Sequence, residues 1–440
     1  MFDALFTTTT EYKKLSHALS GKGACALFGL PASGRAQVYA ALCRQLDKPL
    51  CIVTPGEAEA TRFAADLNTL GIPAAVFPAR DYVLRPIEGT AREYEYRRLA
   101  VLGELVGGRL RAVAVPAEAL TQFTTPKEDF CANTRTLHAG DTLLRDDLLA
   151  ALFGAGYTRR AQVDGPGQFS VRGDIVDIFA PDQKMPVRME FWGDEIDTLH
   201  TFDLTTQRRE DAIDKFYLSP AREVLFGKPA DAAEQLRAFL AKQRGKKKTA
   251  MADCMAADLD LLDGGAVPVN MDKYLAVRYP HPATVLDYFD DPILVAEEPA
   301  SIREADRATA YRRGEELKSL ILDGVLCAGL DNLYADPSYL WSKTGHYRTI
   351  CAENFARSMP DQPLKDIINA PAHTLPAWNG EVAGLLEDLK PLCDAGYTVT
   401  LLAGTDRAAA GLARDLRDKG ILVTTDAEAA RQRGLLQHRW

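Results

Sequence analysis

One segment of the chain has the spacing of a phosphate-binding loop, and it lies between a predicted strand and a predicted helix: Gly29-Leu-Pro-Ala-Ser-Gly34-Arg35-Ala36. In Walker A loops, backbone N–H groups cradle phosphates, a lysine reaches the outer phosphates and a hydroxyl residue holds Mg²⁺. Gly29 and Gly34 have the required spacing, but Arg35 replaces the lysine and Ala36 replaces the hydroxyl residue. Because Ala36 cannot ligate a metal and arginine does not fit where a lysine ammonium points, we predict a degenerate nucleotide loop. A weak anion site is the alternative.

No other segment has the pattern of a catalytic or metal-binding site. The seven histidines are isolated, and the eight cysteines are scattered without a CxxC pair. The sequence contains no HExxH or GxSxG motif, which excludes the common zinc-protease and serine-hydrolase signatures. We therefore predict no catalytic residue, no metal ligand and no cofactor for this chain.

A second segment with functional potential is Val187–Leu199, which alternates polar and apolar residues around Gly193-Asp194. A two-residue turn there would pair Trp192 with Glu195 and would place Arg188 and Trp192 on the outer face of a hairpin. An exposed tryptophan beside an arginine is typical of a protein-binding hot spot. Arg172, in Phe169-Ser-Val-Arg-Gly173, could join the same patch, unless Gly173 carries a bulge. The alternative is a tryptophan that folds back onto its neighbours or stacks on Arg188.

The elements that would position these residues form three kinds of structure. Alternating strand and helix patterns near the N-terminus predict a parallel sheet covered by helices. Closely spaced short strands after residue 130 predict antiparallel, hairpin-rich sheet. We predict an α/β multi-domain protein in which a degenerate P-loop-type parallel-sheet domain is interrupted by a β-rich α+β insert and followed by a small α/β domain. The expected boundaries are 1–130 and 219–357 for the split domain, 131–218 for the insert, 358–378 for a linker and 379–440 for the small domain. Within the small domain we predict a strand at Thr398–Ala403, a helix at Asp406–Asp418 and a second strand at Ile421–Thr424.

The composition narrows the class of protein. The 440 residues carry 52 Lys+Arg against 61 Asp+Glu, a net charge of −9, which argues against coating nucleic acid by charge alone. Lys242–Lys248 is basic, but a solvated loop is the favoured interpretation. Scattered cysteines and the lack of a signal peptide or an apolar run of about 18 residues predict a cytoplasmic protein without a membrane partner. Helix-like sequence up to Trp440 indicates that the natural protein is longer.

Four segments together resemble the UvrB-like module of bacterial transcription-repair coupling factors (the Mfd family): Gly156–Arg160, Gly165–Phe179, Val187–Asp197 and Phe202–Arg208. The chain departs from UvrB itself in three ways. Its Walker A loop is degenerate, Glu297-Glu298-Pro299-Ala300 stands where UvrB has Asp-Glu-Ser-His, and Ala79–Tyr94 is too short for the hairpin that UvrB threads through damaged DNA.

The resemblance implies recruitment of another protein. Family members displace stalled RNA polymerase and bring in UvrA through this module for nucleotide excision repair. Matched by motif, the UvrA-binding residues of the family fall on Arg172, Arg188 and Trp192. RNA polymerase would bind a downstream polymerase-binding domain, and DNA, ATP and Mg²⁺ would belong to the downstream motor domains of an ATP-dependent DNA translocase, not to this module. The alternative function is an ATP-dependent, UvrB-type damage-recognition enzyme that still holds nucleotide through Arg35.

Overall fold

The computed structural model describes residues 7–87, 92–359, 362–372, 382–396, 399, 401–403, 405–423 and 438–439. The chain divides into two compact units, Met1–Ala370 and Pro371–Trp440. In the described residues, no helix is both long enough and apolar enough to cross a membrane.

The secondary structure alternates strands and helices at both ends of the first unit and is dominated by strands in the middle. The strands are β1 (Gly23–Phe28), β2 (Leu50–Thr54), β3 (Ala74–Val76), β4 (Ala112–Pro116), β5 (Arg135–His138), β6 (Thr158–Arg159), β7 (Gln168–Arg172), β8 (Ile175–Phe179), β9 (Val187–Trp192), β10 (Glu195–Phe202), β11 (Arg209–Ala212), β12 (Lys215–Leu218), β13 (Ile293–Glu297), β14 (Arg348–Glu353), β15 (Leu364–Asn369), β16 (Leu402–Ala403) and β17 (His438–Arg439). The α-helices are α1 (Thr10–Ala18), α2 (Ala32–Leu46), α3 (Glu57–Thr69), α4 (Glu93–Val106), α5 (Ala117–Leu120), α6 (Lys127–Ala132), α7 (Arg145–Gly154), α8 (Pro229–Ala241), α9 (Gly245–Asp263), α10 (Leu275–Arg278), α11 (Pro299–Leu322), α12 (Tyr339–Lys343), α13 (Val382–Asp394) and α14 (Asp406–Asp418).

A parallel sheet with the strand order β15-β1-β14-β13-β2-β4-β3 forms the core of the first unit. Its inner strands are short apolar runs, because helices cover both faces and leave no polar side. On one face α2 and α3 pack through Leu42 and Phe63, and on the other α4 and α11 pack through Leu102 and Ile302. The predicted α/β fold with a parallel sheet is therefore confirmed.

The second sheet has the order β11-β10-β9-β8-β7-β6 and is antiparallel except for the short β6–β7 pair. Phe169, Met189 and Phe191 on its inner face pack against Leu148 and Leu152 of α7. The segments that lead into and out of this region lie next to each other, because β5 pairs with β12. A separate β-rich sheet, predicted from the short alternating runs, is confirmed.

The predicted hairpin register between β9 and β10 is also confirmed. Trp192 pairs with Glu195, and Phe191 pairs with Ile196, across the turn at Gly193-Asp194. Gly193 has φ +64°, a left-handed conformation that glycine adopts without steric cost. The turn therefore fixes which residues of β9 face away from the core.

Two predictions near the end of the first unit were wrong in detail. Lys242–Lys248 is not all loop, because α9 begins at Gly245 and is held by Met251, Met255 and Leu262, which recur at helical spacing and are buried. The span 358–378, expected to be a linker, contains the edge strand β15. Only Ile368 of this strand is fully buried. Because the strand is mostly exposed, its sequence is not a continuous apolar run and resembles that of a linker.

The second unit contains α13, α14 and the short parallel pair β16–β17. Helix α14 has the bounds predicted for it, and β16 lies within the predicted strand Thr398–Ala403. The strand expected at Ile421–Thr424 is not formed by residues 421–423, and Thr424 lies outside the described residues. β17 instead supplies the partner of β16.

Candidate functional site

The outer face of the second sheet carries the arginines predicted to bind a partner. Asp177 on β8 lies directly opposite Arg188 on β9 and opposite Ser170 on β7. Arg172 is two residues beyond Ser170 and therefore shares its face. Gly173 and Asp174 form a tight turn, since Arg172 pairs with Ile175; the bulge considered for Gly173 is absent from this hairpin.

Both arginines are anchored on one buried carboxylate. Arg188 donates from Nε to Asp177 Oδ1 at 2.7 Å and from Nη2 to Oδ2 at 3.0 Å. Arg172 donates from Nη2 to the same Oδ2 at 2.7 Å. The side chain of Asp177 is 1% exposed. A bidentate arginine–carboxylate pair fixes both position and orientation, so Asp177 sets the direction in which these guanidinium groups point.

Arg188 is more enclosed than the sequence predicted. Its Nη1 also donates to the carbonyl of Gln207 at 3.1 Å, and its guanidinium lies 4.7 Å from the ring centroid of Phe202. Only 11% of its side chain is exposed. The hydrogen bonds to Asp177 raise the pKa of Arg188 above its usual value, so it is permanently charged. Arg188 lies on the predicted outer face, but the loop that contains Gln207 covers most of it.

Trp192 lies at the end of β9, next to the hairpin turn, and 82% of it is exposed. This exposure excludes the alternative in which Trp192 folds back onto its neighbours or stacks on Arg188, and Arg188 stacks on Phe202. A tryptophan with so much free surface is costly to leave in water unless another molecule covers it. The outer-face position predicted for Trp192 is the observed one.

The ion pairs of this face were missed from the sequence. Glu190 lies between Arg188 and Trp192 on β9, and it forms an ion pair with Arg209 of β11. Thr198 of β10 donates to Glu190 at 3.3 Å. Alternation along β9 already placed Glu190 on this face, but the identity of its partner depends on the strand order, which a local pattern does not contain. Asp177 was missed for the same reason.

The degenerate nucleotide loop lies at the carboxyl end of β1. Gly29 ends the strand with φ +92°, and α2 begins at Ala32, so Gly34, Arg35 and Ala36 belong to its first turns. Arg35 is only 2% exposed. The predicted strand-to-helix turn is thus the observed structure, but Arg35 points inward.

Arg35 is paired with two acids at the carboxyl end of β13, Glu297 within the strand and Glu298 directly after it. Its Nη2 lies 3.0 Å from Glu297 Oε2 and 3.0 Å from Glu298 Oε1. Tyr39 donates its hydroxyl to Glu297 Oε1 at 2.5 Å. Burial raises the pKa of Glu297 to about 7, although Arg35 and Tyr39 oppose this shift. The positive charge at the loop is therefore already neutralised by residues of the protein, which the sequence did not predict.

In the residues covered by the structure, no three or more His, Cys, Asp or Glu side chains are grouped as metal ligands would be. The acids Glu297 and Glu298 share one arginine and do not form such a group.

Comparison with known proteins identifies relatives of this chain. Residues 136–224 match the family model of the UvrB interaction domain, which spans β5 to β12 and hence the outer face described above. The transcription-repair-coupling factor of Bacillus subtilis is 25% identical over 420 residues, 93% of this chain and 35% of that protein. The factor of Myxococcus xanthus is 35% identical over 208 residues, 45% of this chain and 17% of that protein.

A third relative, the factor of Mycobacterium bovis, is 34% identical over 257 residues, 56% of this chain and 20% of that protein. The chain thus spans about a third or less of the length of these curated relatives. The resemblance to the UvrB-like N-terminal region of transcription-repair coupling factors, predicted from the sequence, is confirmed.

Proposed function

We propose that this chain is the UvrA-recruiting module of a transcription-repair coupling factor and that it acts in nucleotide excision repair without catalysing a reaction. The observation that carries the proposal is the outer face of β7–β11. It lies inside the segment that matches the UvrB interaction domain and exposes Trp192 beside arginines held in fixed directions. Buried tryptophan and arginine contacts dominate the binding energy of protein interfaces.

The chemistry of this face suits an acidic protein surface with an apolar pocket. Trp192 would fill the pocket, and arginines would form charge-assisted hydrogen bonds with carboxylates of UvrA. Contacts with RNA polymerase and DNA would be made by parts of the natural protein outside this chain, in the bacterial cytoplasm. ATP and Mg²⁺ would serve those parts alone, because Arg35 is committed to Glu297 and Glu298 and Ala36 offers no ligand.

The test is the affinity of purified UvrA for Trp192→Ala and Arg172→Ala variants, measured by biolayer interferometry. We expect Trp192→Ala to weaken binding about 30-fold or more, which corresponds to a hot-spot loss of about 2 kcal/mol. Arg172→Ala should weaken it about 2- to 5-fold, because an exposed ion pair contributes up to about 1 kcal/mol. Trp192 is 82% exposed, about half of the Arg172 side chain is exposed, and Arg188 keeps Asp177 paired, so neither change should impair folding.

Matched controls are available elsewhere on the chain. Phe355 is 81% exposed and, like Trp192, aromatic, and Arg135 is an exposed arginine on β5, immediately before the matched segment. Alanine at either position should leave affinity unchanged. Wild-type affinity in both Trp192→Ala and Arg172→Ala would refute the assignment of this face.

A further inference from the structure

The outer face of the second sheet carries a row of alternating charges, here called the charge strip: Arg172, Asp177, Arg188, Glu190 and Arg209. It crosses the sheet from β7 to β11. Three cations and two anions leave it with one net positive charge. Asp177 joins the first two arginines, and Glu190 binds the third.

The three arginines differ in how much of their hydrogen-bonding capacity remains free. Arg188 uses Nε, Nη1 and Nη2 for bonds within the protein. Arg172 and Arg209 each pair through Nη2 alone among the described residues. The exposed fractions of the side chains follow the same order, 11% for Arg188 against 48% for Arg172 and 45% for Arg209. Free donors are therefore concentrated at the two ends of the strip.

We infer that Arg172 and Arg209, and not Arg188, are the cations that contact the partner, and that Asp177 and Arg188 are positioning residues beneath them. The inference rests on the proposed binding of UvrA to this face. It adds Arg209 to the docking surface and changes the role of Arg188 from a contact to a support. Neither role follows from the order of residues in β9 alone.

The arrangement also specifies the partner surface. Trp192 stands on β9, the strand midway between β7 and β11. With neighbouring strands roughly 4.8 Å apart, the backbones that carry the two end arginines are roughly 19 Å apart. Arg209 leans back toward Glu190 on β9, which brings its charge closer to the tryptophan. The complementary UvrA surface is an apolar pocket for the indole with a carboxylate on each side.

The experiment measures the association and dissociation rates of UvrA with this chain over a series of salt concentrations. Partner-facing charges act chiefly on the association rate and its salt dependence, whereas a residue that only supports the surface acts on dissociation. Arg209→Ala and Arg172→Ala should each lower the association rate at low salt about two- to fivefold and flatten its salt dependence. Arg159→Ala is the matched control, because Arg159 is exposed on the neighbouring strand β6 but pairs with Phe169 of the inner face.

Arg188→Lys tests the positioning role with the net charge unchanged. Lysine cannot reproduce the fork to Asp177 or the contact with Gln207, so we expect faster dissociation and an unaltered association rate. If the inference holds, losing the guanidinium geometry speeds dissociation even though the positive charge is kept. Asp177→Asn should likewise speed dissociation, because both arginines lose their anchor.

Two results would overturn the inference while leaving the proposed function intact. One is an Arg209→Ala variant that matches Arg159→Ala in rate and salt dependence. The other is an Arg188→Lys variant whose association rate falls as far as that of Arg172→Ala. Absence of UvrA binding by the wild-type chain would instead refute the proposed function, and the inference with it.

Discussion

Arg35 and Arg172 pair with carboxylates in two environments that lead to opposite uses. Arg35 is almost fully buried and pairs with two acids, so its charge is balanced within the protein and is not accessible to solvent. Arg172 shares the single carboxylate of Asp177 with Arg188 and leaves nearly half of its side chain exposed. An arginine contributes to binding only where its remaining donors can reach another molecule. Arg35 is therefore not accessible to a ligand, whereas Arg172 is accessible to a binding partner.

Because Arg35 of the degenerate nucleotide loop is already paired, we predict that the wild-type chain does not bind nucleotide. A γ-phosphate would have to displace Glu297 and Glu298 from Arg35, and Mg²⁺ would find no hydroxyl at Ala36. Titration with a fluorescent ATP analogue in the presence of Mg²⁺ should give no saturable signal. An ATPase with an intact Walker A loop, titrated in parallel, verifies the probe. Saturable, Mg²⁺-dependent binding by this chain would restore the alternative of a UvrB-type enzyme.

Alternation within one strand correctly predicted which face a residue lies on. It did not predict contacts between residues of different strands. Trp192 was assigned to the outer face correctly because the turn at Gly193 fixes the parity of β9. Asp177 and Arg209 could not be found in this way, since their partners lie on other strands. The burial of Arg188 depends on the loop around Gln207, whose path has no periodic signal.

Helix α11 carries two buried ionisable residues, Asp306 and Arg313, beside a small cavity. Asp306, Thr309 and Arg313 line a cavity of about 180 Å³ between this helix and Tyr334. Arg313 is well supported, with donation to Thr121 Oγ1 at 2.8 Å and stacking 4.0 Å above Tyr334. Burial raises the pKa of Asp306 to about 6, although nearby Arg313 opposes the shift. Ionised Asp306 is therefore a source of strain in the folded protein.

This shift predicts a stabilising substitution above neutral pH. The folded state holds a proton on Asp306 up to pH of about 6, whereas the unfolded chain releases it near its ordinary value. Stability from this group is thus fully present below about pH 4 and is lost as the pH rises through about 6. Asp306→Asn should raise the free energy of unfolding by at most about 1 kcal/mol at pH 4.5 and by about 1–3 kcal/mol at pH 8, with the larger gain at pH 8.

Urea denaturation at the two pH values checks this expectation. Trp341, on which Arg303 of α11 stacks at 4.1 Å, reports on the helix by fluorescence. Glu304→Gln, at an exposed position of the same helix, is the control and should show no gain at pH 8. Equal effects of Asp306→Asn at both pH values would contradict the assignment.

The sequence predicted most elements of the large sheet, because its strands are buried apolar runs separated by helices of regular period. It missed the strands β14 and β15, the second of which lies at the sheet edge and is mostly exposed, and it underestimated α9, whose first turn is occupied by lysines. Positive charge at a helix N-terminus opposes the helix dipole, so local sequence argued against the helix. Burial of Met251 and Met255 overrides that local preference.

Across the whole first unit, a buried ionic network joins the large sheet domain to the end of the β-rich region. Arg98 of α4 donates to both oxygens of Glu223, at 2.6 and 3.2 Å, five residues after β12. Arg80 lies 3.3 Å from Glu223 and donates to Asp272 at 2.8 Å. All four side chains are nearly inaccessible. The network holds the base of the region that carries the docking face.

Glu223→Gln should therefore weaken the whole unit. Removing one partner of a buried ion pair typically costs about 3–5 kcal/mol, because the other charge is left unpaired. Chemical denaturation should show this loss, and hydrogen exchange should show faster opening of β9 as well as of β4. Glu234→Gln on α8 changes an exposed carboxylate in the same way and should cost almost nothing. Equal stability of the two variants would disprove a stabilising role for the network.

The position of β1 has a consequence for how the protein is made. Its two neighbours in the sheet, β14 and β15, lie about 320 residues or more further along the chain. At about 5–20 residues per second, a ribosome needs roughly 15–60 s to produce them after β1 has emerged. The first strand therefore waits with both edges unpaired while the complete docking sheet can fold. Nascent chains of this protein should depend on cellular factors that shield apolar segments during that interval.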